Sequence, residues 1–275
     1  MENIGYYTEY LNQQLNLEGL GTERKKQLKK IAELRDGRDV LVFAADLNKQ
    51  IPLISINYSD LLPIRDQLSN LSGKKIDLIL ETPGGSGETA EDIVRLLREK
   101  YEEVGVIIPG YAKSAGTIMA MSADEILMDS SISALGPIDA QLFWQGKIFS
   151  ADAFLEGLKK IKEEVEETGV LNKAYIPILQ GISPGEIQNA QNALNFAKTL
   201  VTKWLAKYKF KTWDNHSKTK AIVTTEEKER RAQEIANKLC DHQHWLTHGR
   251  SLKLKDLEEM GLRITNYAQI PQLAE

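Results

Sequence analysis

The 275-residue chain has one cysteine, Cys240, so it forms no intramolecular disulfide and suits a reducing compartment. It lacks any apolar run near the roughly 18–20 residues needed to span a bilayer. The opening residues, MENIGYYTEYLNQQ, have neither a basic start nor an apolar core and do not read as a signal peptide. A formal net charge of −4 gives no general reason to bind nucleic acid. Glycines cluster at 84–87, but no Gly-Lys-Ser/Thr ending follows and no G-x-G-x-x-G spacing is present, which argues against a nucleotide loop. Four histidines occur, none before His216. These absences lead to the expectation of a soluble, cytoplasmic protein. The composition, 42% hydrophobic and 27% charged, allows one large α/β domain or a domain with appendages.

What is present centres on residues 76–139. Two runs, 76–80 and 104–108, read as buried strands, apolar apart from Asp77 as expected when helices cover both faces of a parallel sheet. Each ends in a small-residue turn that opens a helix: Thr82-Pro83-Gly84-Gly85-Ser86-Gly87, then Gly110-Tyr111-Ala112-Lys113-Ser114-Ala115-Gly116. Such turns free backbone N–H groups to bind an anion. Facing one another, they would set a serine hydroxyl beside an oxyanion hole. A plain turn at 82–87 and a helix-capping role for Ser114 are the competing readings.

Further strands are expected at 39–45, 54–58 and 125–128. Helices are expected over 5–35, parted at Gly19-Leu20-Gly21 with Thr22 capping the second, and over 60–71 with Asp60 as cap. Others are expected at 88–101, 150–167 and 225–239. Ser183-Pro184-Gly185-Glu186 is a strong start for a helix to about residue 208. Asp214 and His216 form a candidate local pair. Cys240, His244 and His248 would share one helical face as metal ligands, but no second ligand group has regular spacing, so no metal is expected.

The two glycine turns, spaced by about 28 residues, resemble those of the Clp protease (ClpP) and signal peptide peptidase A (SppA) superfamily. Leu135-Gly136-Pro137-Ile138-Asp139 and Thr247-His248-Gly249-Arg250 resemble its SDH-type branch, the serine dehydrogenase proteinases. The resemblance implies an α/β fold, a ClpP/crotonase-like spiral of ββα units with added helices. It implies Ser114 as nucleophile, the N–H groups of Gly84 and Ala115 as oxyanion donors, and Gly85, Ser86, Gly136 and Pro137 as substrate contacts. The ClpP order of triad residues cannot be assembled, because no histidine precedes His216. The resemblance to the SDH-type branch, whose matching Thr-His segment supplies a histidine, implies His248 as general base with Asp139 to orient it; His242, His244 and a lysine such as Lys147 are the alternates.

The expected organisation is an N-terminal helical arm (1–37), a catalytic core (38–149), a helical insertion or handle (150–240) and a C-terminal part of the core (241–275). The expected function is serine endopeptidase action on a peptide or protein, without a cofactor, by a homo-oligomer. The alternatives are an inactive peptide-binding scaffold and a crotonase-like acyl-CoA enzyme.

Overall fold

The computed structural model describes residues 17–49, 51, 54–144 and 146–274. Helix α1 (Leu17–Leu34) precedes strand β1 (Asp39–Ala44). The sequence predicts a break at Gly19-Leu20-Gly21, yet α1 runs through it; residues 5–16 of the expected arm lie outside the described residues. Thr22 does not cap a second helix. Its hydroxyl donates to the Glu18 carbonyl at 3.0 Å, a back-bond of a helix interior.

The remaining strands are β2 (Lys75–Glu81), β3 (Glu103–Ile108), β4 (Tyr111–Ala112), β5 (Glu125–Met128), β6 (Ala134–Leu135), β7 (Gln141–Trp144), β8 (Lys147–Ser150) and β9 (Thr265–Asn266). The main sheet is parallel, in the order β1-β2-β3-β5-β9. Its largely apolar strands, with Asp77 the buried exception in β2, reflect burial on both faces. Ile76, Leu78, Leu80, Val106 and Ile126 enter the large core on one side, while Ile107 and Leu127 pack with Ile31 of α1 and Tyr267 on the other.

Each unit gives one strand to this sheet and then a shorter one to a second layer. Ile56 bridges Gly85, Thr82 bridges Ala112, β4 pairs with β6, and Leu135 bridges Leu252. The second layer therefore advances in the same order as the first, which is the spiral of ββα units. The expected strand at 54–58 shrinks to the Ile56 bridge. Helices α2 (Leu61–Ser69), α3 (Gly87–Lys100) and α4 (Ala115–Ala120) fill the crossovers. Asp60 makes no side-chain cap on α2; its carboxylate accepts the Asn57 N–H at 2.9 Å in the turn before it.

The β7–β8 hairpin is not anticipated by the sequence reading; Gly146, with φ +76°, lies in its turn. Helices α5 (Ala151–Thr168), α6 (Ile176–Gln180), α7 (Pro184–Trp204) and α8 (Thr225–Leu239) follow. The capping box of Ser183 with Glu186 starts α7. Leu200, Val201 and Trp204 of α7, with Ile235 and Leu239 of α8, join the same core as the sheet. His216 pairs with Glu227 at 3.0 Å rather than with Asp214, which faces Lys228 at 3.3 Å. Short helices α9 (His242–Trp245) and α10 (Leu254–Glu259) lead to β9. Among the described residues, no helix is long and apolar enough to cross a membrane.

A charge cluster fastens the amino ends of the strands. Asp77, fully buried in β2, accepts Arg35 Nε at 2.7 Å and has Arg38 Nη1 at 3.5 Å. Arg35 also reaches Glu125 of β5 at 2.6 Å, and Arg38 reaches Glu103 of β3 at 2.8 Å. Burial works to lower the Arg35 pKa, but its bonds to Asp77 and Glu125 outweigh this and raise it. Gly105 lies where any Cβ would strike the Asp77 carboxylate. Replacing Asp77 with Ala leaves two arginines short of their buried partner. A loss of about 3–5 kcal/mol in unfolding free energy is expected, read by urea denaturation; a loss below about 1 kcal/mol contradicts this role.

Candidate active site

The site lies at the carboxyl ends of β2 and β3, where parallel sheets place their ligand crevices. Two backbone turns meet there. A Cβ built on Gly84 would lie 2.8 Å from both Ser114 Cβ and the Lys113 carbonyl, so only glycine permits the approach. Gly84 and Gly85 have φ of +107° and +148°, and a Cβ at Gly85 would strike the Ile56 backbone.

Ser114 has φ 52° and ψ −115°, a strained conformation for a non-glycine residue. Its hydroxyl makes no capping bond to α4, so the capping role weighed from the sequence does not describe it. Small neighbours make the turn feasible. A Cβ at Gly116 would sit 2.5 Å from Thr82 Cγ2 and 3.2 Å from Ala112 Cβ. Thr117 Oγ1 reaches the carbonyls of Ala112 and Gly136 at 3.0 and 2.9 Å and accepts the Gly136 N–H at 3.0 Å. One buried hydroxyl thus joins the serine turn to the Gly136 segment that follows β6.

The backbone donors depart from expectation at one position. The Gly84 N–H donates to Thr82 Oγ1 at 3.1 Å and is already engaged. Ile56 takes the Gly84 carbonyl at 2.8 Å and the Ser86 N–H at 2.9 Å, leaving the Gly85 N–H outside that bridge. Among the described residues, neither the Gly85 nor the Ala115 N–H donates to a protein acceptor.

Asp139 is 6% exposed and accepts the Ser150 hydroxyl at 2.6 Å. Two backbone links bring histidines to its other oxygen. Leu135 and Leu252 exchange hydrogen bonds of 3.0 and 2.9 Å, and Ile138 N–H donates to the Leu239 carbonyl at 2.8 Å. His248 Nδ1 and His242 Nδ1 then stand 3.6 and 3.5 Å from Asp139 Oδ2. His248 Nδ1 is buried without a hydrogen-bond partner among the described residues. Apo catalytic contacts of this kind are often long and tighten around substrate. Burial raises the nearby Asp152 carboxyl pKa, aided by Asp139 and Asp241 and opposed by His242 and Lys198.

The other candidates fall elsewhere. His244 stands edge-on to Trp245, with ring centroids 4.4 Å apart. Lys147 is exposed on β8, and Lys159, Lys160 and Lys162 pair with glutamates on the exposed face of α5. Cys240 is buried, and burial pushes its thiol up to about 12, unlike a thiolate ligand. Ser86 caps α3, accepting the Thr89 N–H at 3.0 Å while donating to Glu88 at 2.9 Å. Gly136 and Pro137, expected to touch substrate, are buried and do not line the cleft; Gly136 packs against Lys113, where a Cβ would lie 3.0 Å from Lys113 Cβ.

A cleft of about 690 Å³ brings Pro83–Glu88, Ser114, Ala115, Asp139 and His248 together. Its far wall is α7, part of the segment expected as a helical insertion or handle. Lys113 is not among the expected site residues. Its ammonium bonds the Gly249 carbonyl, tying the residue before Ser114 to the residue after His248. Burial lowers the Lys113 pKa, helped by the charge of Lys253.

A family profile described as ClpP-like SDH-type serine proteinase matches residues 8–176. The chain belongs to this family. Membership accounts for the paired glycine turns and the parallel ββα spiral. Two uncharacterized proteins of Methanocaldococcus jannaschii are similar: one is 38% identical over 89 residues, the other 48% over 69. Those stretches cover 32% and 25% of this chain and only 30% and 24% of the relatives' own lengths. Among solved structures, a membrane-bound stomatin-specific protease has 13% identity and a TM-score of 0.44, covering 83% of this chain and 79% of its own. The ClpP catalytic domain of Plasmodium falciparum has 11% identity and a TM-score of 0.41, covering 86% and 89%.

If Lys113 holds the His248 loop, Lys113→Met frees it. Deuterium uptake across residues 246–251 should then rise about tenfold in rate, while β2 and β3 keep their protection. Unchanged uptake in that loop contradicts the tether.

Proposed function

We propose that this family member is a serine endopeptidase using Ser114 as nucleophile, His248 as general base and Asp139 to orient the histidine. The observation that carries the reading is the shared cleft holding Ser114, Asp139 and His248 beside two backbone donors that are unbonded among the described residues. Ser114 Oγ attacks a peptide carbonyl as His248 takes its proton. The new C–O bond makes a tetrahedral oxyanion, which accepts the Gly85 and Ala115 N–H groups. Gly85 takes the place first given to Gly84 because the Gly84 N–H is held by Thr82. Collapse breaks the C–N bond, and the amine leaves with the proton from His248. Water then attacks the acyl-enzyme, passes a proton to His248, and releases the acid as Ser114 regains its own.

The substrate chain would run extended beside Gly85 and Ser86, as an added strand. His242 competes with His248 because it lies as near Asp139. His248 is preferred because it lines the cleft with Ser114 and His242 does not. Assembly as a homo-oligomer, which rests on the resemblance, and a cytoplasmic location, which rests on the sequence composition, belong to the same proposal.

A fluorophosphonate probe with intact-mass readout tests the reading. The wild type should gain one label on Ser114, Ser114→Ala none, and His248→Ala should label about 10²–10⁴-fold more slowly, with His242→Ala within about threefold of wild type. Labelling that survives Ser114→Ala overturns the nucleophile. A larger loss with His242→Ala than with His248→Ala reverses the choice of base.

A further inference from the structure

We propose that the acidic, apolar tip formed by α5 and α6 docks head to tail into a basic groove between α7 and α8 of a second copy of this chain. This rests on the homo-oligomer part of the reading above and gives it an interface. The groove measures about 760 Å³. Four cations line it, Lys203, Lys207, Lys228 and Arg230, against two acids, Glu226 and Glu229. Glu226 is already bonded to its own backbone N–H and to Thr224. Lys228 and Arg230 reach Asp214 and Glu227 at 3.3 and 3.8 Å. Lys203 and Lys207 have no carboxylate partner among the described residues. The surplus extends beyond the groove: residues 198–231 hold ten lysines and arginines against four acidic residues, in a chain of net charge −4.

The tip carries the opposite sign. Helix α5 closes on Glu163, Glu164, Glu166 and Glu167, with no basic residue in its last turn. Glu166 and Glu167 thus sit where the negative end of the helix repels them, and a cation from outside would relieve both. Lys162 faces Glu166 at 3.6 Å, an exposed pair of small value, and Glu167 has no cation among the described residues. The Tyr175 hydroxyl donates to Glu164 at 2.9 Å and holds the start of α6 against α5. Val170, Leu171, Ile176 and Ile178 in this stretch are exposed. Apolar surface rimmed by charge in this way marks a protein contact. Ala206 in the groove and Ile222, 79% exposed just before α8, offer it an apolar counterpart.

Helix α7 sets the geometry. It has 21 residues, so its ends lie about 30 Å apart. The first turns of α5 pack near Ala190 and Leu194 of α7, and the chain returns from the tip through α6 to the first turn of α7. The groove flanks the last turns of the same helix. One copy therefore cannot fill its own groove. A contact between unlike surfaces is heterologous and closes a ring or extends a filament. Between the two contacts α7 walls the Ser114 cleft, so neighbours gripping both ends hold that wall.

Sedimentation velocity on the 275-residue chain tests the contact. Wild type should self-associate, and raising salt from about 50 to about 500 mM should weaken the association. Two variants reverse charge, Lys203→Glu with Lys207→Glu in the groove and Glu166→Lys with Glu167→Lys at the tip. Each should raise the dissociation constant at least about tenfold. An equimolar mixture of the two should recover association to within about threefold of wild type, because every tip then meets a groove of opposite charge. A variant that merely misfolds is not rescued by mixing. An assembled wild type that ignores both reversals, or a mixture that stays dissociated, overturns this interface and leaves the homo-oligomer standing. A wild type that stays monomeric at low salt overturns both.

Discussion

Two backbone turns can touch only because residue 84 has no side chain, and the site is arranged around that contact. A Cβ there would sit 2.8 Å from Ser114 Cβ. The approach sets a hydroxyl in a strained backbone beside N–H groups that, among the described residues, no protein atom accepts. The second layer of short strands makes the contact reproducible. Ile56–Gly85, Thr82–Ala112, β4–β6 and Leu135–Leu252 form a continuous run of backbone pairing that ends next to His248. Candidate site residues that are far apart in sequence are thus placed by main-chain hydrogen bonds rather than by flexible side chains.

The buried charges divide between the two ends of the sheet. At the amino ends, Asp77 is saturated by two arginines, and Gly105 makes room for it. That carboxylate has nothing left to offer a ligand, and its role is to fasten α1 to the strands. At the carboxyl ends, Asp139 is equally sheltered, but one oxygen faces two imidazoles at distances beyond a hydrogen bond. A buried acceptor with incomplete partners suits a site that tightens on substrate. The hairpin β7–β8 contributes to this through Ser150, which holds the other Asp139 oxygen.

The sheet and its two turns were legible because local signals carried them: mostly apolar runs followed by glycine-rich turns. Ser114 and the strong Ser183 cap were visible in the same way. Features set by long-range packing were less visible. Nothing local distinguishes Gly84 from Gly85 as a donor; the difference arises from the Thr82 hydroxyl and the Ile56 bridge. Gly136 and Pro137 looked like contact residues, but Thr117 and Lys113 bury their segment. The break expected at Gly19–Gly21 does not occur: α1 runs through both glycines and packs on the sheet further along, through Ile31. The wall formed by α7 depends on a helix more than sixty residues from Ser114, and no spacing rule reaches that far.

The central claim is that one carbonyl oxygen can meet both turns while its carbon meets Ser114. The most direct measurement is a crystal structure of the Ser114 phosphonate adduct. The account predicts a phosphoryl oxygen about 2.7–3.1 Å from both the Gly85 and Ala115 nitrogens, with His248 beside Ser114 Oγ. An oxygen turned to solvent, or held by a donor outside the two turns, would contradict it.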